Sequence, residues 1–211
     1  MELCMKITIP LFYFWCVFIV FQSFNCKQAD GDTTTNISDP VTEAVKLTSE
    51  GWRSFEAKDY SKAITLFKQA LDNNDLYADA YNGLGWTYGR QDSLKRAKIY
   101  FDIALGLEKR NTDAIAGRSF VSLGLGNYDD AISAVTLVEE NQVVYYTFRH
   151  DRSISINDLK LVKAQSYFML GNYSESQTII DELDPQNQLD QSKASYIEDL
   201  ALAIENLWKT I

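Results

Sequence analysis

Residues 84–89, Leu84-Gly85-Trp86-Thr87-Tyr88-Gly89, read "LGWTYG", and residues 50–55 read "EGWRSF". Their Gly-Trp pairs lie 34 residues apart. The same interval separates Ala63, Ala97 and Ala131, then Phe67, Phe101 and Val135, then Gly51, Gly85 and Ser119. Three sets in one phase define an internal repeat, the signature of a stacked array. The units run over about 44–77, 78–111 and 112–145. A fourth fits 157–190, where Gly171-Asn172-Tyr173 echoes Gly126-Asn127-Tyr128. Those two motifs are 45 residues apart rather than 34, which leaves an insertion of 11 residues between units three and four.

Each unit reads as two amphipathic helices. In "AITLFKQAL" the apolar Ile64, Phe67 and Leu71 and the small Ala63 and Ala70 recur at spacings of three and four, the period of a helix with one buried face. Gly126 and Gly171 mark the turn between helices, because glycine accepts the left-handed backbone that ends a helix. Unit one places Lys58-Asp59-Tyr60 there, and unit two Asp92-Ser93-Leu94. The small residues Gly51 with Ala63, and Gly85 with Ala97, let paired helices approach closely. Phe67 and Phe101 then fill the space between successive hairpins. No unit buries its apolar face alone, so the array needs end caps. The stripe Ile197, Leu200, Ala201, Ile204, Leu207 and Trp208 predicts a closing helix over about 190–209. A partner-binding helix is the alternative there.

The order of these residues resembles the tetratricopeptide repeat. Unit two carries Tyr81, Leu84, Gly85, Tyr88, Ala97, Phe101 and Ala104. Unit one keeps Leu47, Gly51, Ala63, Phe67 and Ala70. Unit three keeps Ala131 and its Gly-Asn-Tyr turn, with Ile115, Arg118 and Ser119 elsewhere. Unit four keeps Tyr167, Gly171 and Pro185, with Ser176 in place of alanine. The resemblance implies an all-α solenoid of helix-turn-helix repeats over residues 43–211. Its first helices would line a concave face.

On that resemblance, the inward positions include Trp52, Trp86 and Phe120 in one row, and Phe55, Leu123 and Phe168 in another. Asp79, Asp113 and Asp158 occupy a third set, with Asn82 beside them. The family's chaperone-binding members carry a Lys/Asn/Arg clamp for a terminal carboxylate. Thr48, Trp52, Asn82 and Asp113 stand at the corresponding positions, which disfavours that class of partner. Aromatics beside acids suit a peptide or helix with apolar and basic residues. The competing reading is that Trp52, Trp86 and Phe120 pack between adjacent first helices.

Residues 141–156, "NQVVYYTFRHDRSISI", are rich in strand-forming residues around a polar Arg149-His150-Asp151. They predict a small β-hairpin insertion. An isolated two-stranded hairpin is marginal, so it should lie against the helices. It is either a packed decoration or a partner contact.

The N-terminus has a different character. Residues 11–21, "LFYFWCVFIVF", form an apolar run behind Lys6. A membrane-spanning helix takes roughly 20 such residues, whereas this length suits a secretory signal. The run and the following "FQSFNC" resemble a bacterial lipoprotein signal, with residues 1–25 removed and Cys26 carrying the lipid. The usual motif has a small residue just before the cysteine and leucine three before it. Here Asn25 and Ser23 stand there. An uncleaved anchor and ordinary secretion are the alternatives. Residues 26–42 then form the lipidated cysteine and a polar tether. Localisation at the cell envelope, on the extracytoplasmic side, follows from that resemblance.

The three cysteines all fall within the first 26 residues, and His150 is the single histidine. The repeats therefore form neither a disulfide nor a thiolate metal site, and no cofactor is expected. A net charge of −9 opposes binding to phosphate backbones, so nucleic acid is not an expected partner. No nucleophile elbow, phosphate loop or zinc-binding helix motif occurs. His150, Asp151 and Ser153 are neighbours in sequence, which does not make a triad; His150 reads as a turn residue. The expected function is therefore non-enzymatic: a lipid-anchored scaffold that binds a protein or peptide. The alternative is a permanent structural subunit of a larger envelope assembly.

Overall fold

A computed structural model of the chain describes residues 39–140 and 145–210. The signal segment, Cys26 and most of the tether lie outside the described residues. The described residues contain nine helices: α1 Pro40–Glu56, α2 Tyr60–Asn73, α3 Ala78–Arg90, α4 Leu94–Leu107, α5 Thr112–Gly124, α6 Tyr128–Glu140, α7 Ile156–Met169, α8 Tyr173–Leu183 and α9 Tyr196–Thr210. They pair as α1/α2, α3/α4, α5/α6 and α7/α8, matching the four units in order.

Local chemistry sets the boundaries. Pro40 opens α1, where its missing N–H costs nothing. The side chains of Asp59 and Asn111 cap α2 and α5 by accepting from the N–H groups of Lys62 and Ala114. Each first helix is followed by one left-handed residue: Lys58 (φ 61°), Asp92 (φ 56°), Gly126 (φ 76°) and Gly171 (φ 81°). The turn geometry is therefore common to all four units. Glycine meets it without steric cost in two of them, aspartate tolerates it at position 92, and Lys58 adopts it against its side-chain preference.

Packing between units is organised around two phenylalanines. A Cβ placed on Gly51 would meet the Phe67 ring at 2.7 Å, and one on Gly83 would meet it at 2.3 Å. One unit on, a Cβ on Gly85 would meet Phe101 at 2.6 Å, and one on Gly117 at 2.2 Å. Each ring is thus clasped between its own first helix and the next unit's first helix. The predicted role of Gly51 and Gly85 is refined: their bare faces receive a ring, while Ala63 and Ala97 lie fully buried in the same core.

The first helices α1, α3, α5 and α7 touch one another in sequence, whereas the second helices α2, α4, α6 and α8 make no comparable contacts among themselves. A stack closer on one side curves toward that side, so the first helices line the concave face. The helix α7 is buried on two flanks. Leu159 and Val162 join the core of units one to three. Leu161 and Ala164 join a second core with Ile180, Leu200 and Ile204. The closing helix α9 packs on α7 and α8. It begins at Tyr196 rather than near 190, because Asp190 and its Ser192 partner fold the preceding residues into a turn.

The insertion is a narrow loop with antiparallel arms. Its bridge joins Thr147 and Ser155. The Phe148 N–H donates to the Ile154 carbonyl at 2.9 Å, and the Ile156 N–H to the Tyr146 carbonyl at 2.9 Å. Among the described residues the pairing extends no further, so no regular strand forms.

Candidate binding groove

The tryptophans of the first two units occupy equivalent places. The Trp52 indole N–H donates to the Asp79 carboxylate at 3.1 Å, and the Trp86 indole N–H to the Asp113 carbonyl at 3.1 Å. Each indole thereby ties its first helix to the next. Each also meets its unit's phenylalanine edge to face, Trp52 with Phe67 at 5.2 Å and Trp86 with Phe101 at 5.7 Å. This geometry is the favoured one for aromatic pairs. Both tryptophans are almost fully buried.

The insertion covers them. Phe148 stacks on Trp86 with ring centroids 4.1 Å apart and planes 17° from parallel. It also stands near Trp52 and Phe55, at 6.0 and 6.2 Å, and has no exposed surface. His150 lies flat on Trp52, with centroids at 3.9 Å and planes 2° apart. Its Nε2 lies against the Arg149 guanidinium, and its Nδ1 is paired with the Glu56 carboxylate at 2.7 Å. The Tyr146 hydroxyl donates to Asp113 Oδ1 at 3.0 Å. Arg90 of α3 closes the rim by pairing with Asp151. Tyr146 and Phe148 alternate on the extended arm, and the turn that follows, closed by the Asp151 N–H donating to the Phe148 carbonyl at 3.2 Å, carries His150 onto Trp52.

The candidate residues therefore divide. Trp52, Phe55, Trp86 and Phe148 form one aromatic cluster, with half-buried Phe120 against Trp86 at 6.3 Å. Asp79 and Asp113 sit beside it, bonded as above. Burial pushes the Asp113 carboxyl above the usual range for aspartate, although the Tyr146 hydroxyl, Arg149 and His150 favour its ionised form. The same burial raises the Tyr146 phenol, with the charge of Asp113 adding to the effect. Asn82 is buried with its side-chain oxygen unpaired, as is the Thr48 hydroxyl at the same position of unit one. Asp158 instead serves α7: it accepts from the Ser155 N–H and hydroxyl, each at 2.8 Å, completing a capping box. Phe168 belongs to the second core, where it meets Tyr173 at 5.3 Å.

Sequence reasoning missed Tyr146, Phe148 and His150 as groove residues, and missed their partners Glu56 and Arg90. The alternation in "YTF" was the available signal. It marks one face of the insertion but does not reveal which surface that face meets.

Beside the seated loop a cleft of about 350 Å³ remains. Phe101 forms its floor between Gly85 and Gly117, with Phe120 and Ile154 as walls and Arg90 at the rim. Among the described residues, no group of three or more His, Cys, Asp or Glu side chains could hold a metal ion. None of the described helices is long and apolar enough to cross a membrane.

Helix pairs on a 34-residue period, stacked with the first helices inward, define a tetratricopeptide-type α-solenoid. Residues 78–111 match the family model described as "Tetratricopeptide repeat". Solved structures with similar folds include YrrB, titled "a TPR protein with an unusual peptide-binding site". It has a TM-score of 0.60 and 19% identity, covering 77% of this chain and 87% of that one. MamA gives a TM-score of 0.55 at 17% identity, covering 81% and 83%. The first TPR of Spaghetti (RPAP3), bound to the HSP90 peptide SRMEEVD, gives 0.51 at 18% identity, covering 59% and 94%. At these identities the likeness is one of fold. A sequence relative is the RNA polymerase-associated protein CTR9 of Caenorhabditis elegans, 25% identical over 142 residues. The match covers 67% of this chain and 12% of that protein's length.

Proposed function

We propose that this protein is a non-enzymatic interaction scaffold, anchored by lipid at Cys26 on the extracytoplasmic side of a bacterial envelope membrane. Its concave face binds a protein or peptide segment. One observation carries the groove reading: the aromatic row accepts a non-helical segment through side chains alone, with Trp52 and Trp86 as platforms. YrrB has a peptide-binding site and the first TPR of RPAP3 holds a bound HSP90 peptide, which lends the reading support. The terminal-carboxylate clamp has no counterpart at Thr48, Trp52, Asn82 and Asp113, so the partner presents an internal segment.

A photo-crosslinking amino acid tests the groove in intact cells. At Phe120, which lines the open cleft, it captures a discrete protein. At Ile99, exposed on the second helix of its unit, it does not. Capture only from Ile99 would reverse the assignment. The anchor is tested separately. Labelled fatty acid is incorporated into the unaltered chain and lost in Cys26→Ala; undiminished labelling of that variant removes Cys26 as the anchor.

The second reading, a permanent assembly subunit, is favoured by an exposed apolar stripe. Ile99, Ile103 and Leu107 follow one another at spacings of four along α4, and Leu137 of α6 lies one repeat period beyond Ile103. A subunit would copurify at fixed stoichiometry, whereas a scaffold exchanges its partner.

A further inference from the structure

We propose that residues 145–155 are a built-in ligand of the groove, and that the partner is an extended segment of like chemistry which takes their place. That segment carries two aromatic side chains at alternate positions, followed by an imidazole or cation. The inference rests on the groove reading above and specifies what the groove recognises.

Three observations carry it. The loop bonds to itself and to the first residue of α7: its backbone hydrogen bonds run from Phe148 to Ile154, Asp151 to Phe148 and Ile156 to Tyr146. None of its described backbone groups bonds to the backbone of α1–α6. It is therefore held to the helices by side chains and can leave as a unit, whereas a strand paired to a sheet edge would have to break a ladder. Next, each docking contact is one that a second chain could reproduce. Phe148 stacks on Trp86, His150 on Trp52, and the Tyr146 hydroxyl meets Asp113. Finally, the charges are complementary. Glu56 on the groove side pairs with His150, and Arg149 and His150 together offset the charge of Asp113. The net charge of −9 extends the same preference for a basic segment.

An occupant already in place lowers the apparent affinity for a competitor by the fraction of time the groove is open. Weakening the loop's hold should therefore strengthen binding from outside. The probe is a labelled synthetic peptide copying residues 145–155, YYTFRHDRSIS, titrated against the full chain by fluorescence anisotropy. Two variants are compared with the unaltered protein: Phe148→Ala, which removes the central stack, and His150→Ala with Asp151→Asn, which releases the rim and leaves Phe148 in place. Both should bind the peptide at least tenfold more tightly than the unaltered chain. A peptide with alanine in place of its phenylalanine should bind none of them. If Phe148→Ala loses its helical circular dichroism, the rim variant decides.

Equal affinity for all three proteins would overturn the proposal, as would no binding to a folded variant. So would a dimer of the unaltered chain that the rim variant dissolves, since the occupant would then be a second copy. Capture from Phe120 in cells alongside any of these failures would leave the groove reading standing without this one.

Discussion

Asp113 is held between opposing influences. Burial disfavours its charge, while the Tyr146 hydroxyl, Arg149 and His150 favour it, and burial dominates. Its folded pKa therefore lies above its unfolded one. The unfolded chain releases the proton first as pH rises. The stability Asp113 contributes is thus fullest below the ordinary aspartate range, near pH 4, and is lost as pH rises through the folded value. Above the folded value the native state bears the cost of a buried charge. Asparagine keeps an oxygen for Tyr146 to donate to and removes the charge. Asp113→Asn should therefore raise the urea midpoint at pH 7, and the gain should shrink toward pH 4. A lower midpoint at pH 7 would mean that the ionised carboxylate is the favoured partner of the loop.

Between elements, the rings of Phe67 and Phe101 set how closely neighbouring hairpins stack. Gly117→Ala forces a Cβ to within 2.2 Å of the Phe101 ring, and overpacking of this kind costs about 1–3 kcal/mol. Gly106 in α4 has nothing within 4 Å of an added Cβ, so Gly106→Ala should stabilise by about 0.5–1 kcal/mol through helix propensity. Chemical denaturation of the two variants should move in opposite directions. Phe101→Leu should recover part of the Gly117→Ala loss, since the two sites are in contact and their effects are coupled.

Much of this level was legible in the sequence. The 34-residue phase of Gly51, Gly85, Phe67 and Phe101 gives the hairpins and their order, because small and large residues must recur wherever the same contact recurs. Gly83 and Gly117 share that phase and escaped notice, since a contact between units lies outside any single-unit pattern. The seat of the insertion was not legible. Trp52 and Phe148 are brought together only by the curvature of the stack, and no local periodicity encodes an encounter between residues 96 apart.

At the scale of the whole molecule, an array of four hairpins closed by α9 presents one concave face, and that face receives a segment of its own chain. The three acids expected there are engaged internally: Asp79 by Trp52, Asp113 by Tyr146 and Asp158 by Ser155. The recognition proposed for this groove is accordingly aromatic first, with charge at its rim. His150 offers a direct report, because it is the single histidine of the chain and lies flat on Trp52. In a carbon-13-filtered proton NMR spectrum of the isotope-labelled chain, which leaves out the unlabelled peptide's own imidazole, its ring resonances should be displaced upfield by the indole ring current. Titration with the peptide copying residues 145–155 should return them toward the position of a free imidazole as the loop is exchanged. Resonances already at the free position before titration, or still displaced when the peptide is bound at saturation, would contradict the account.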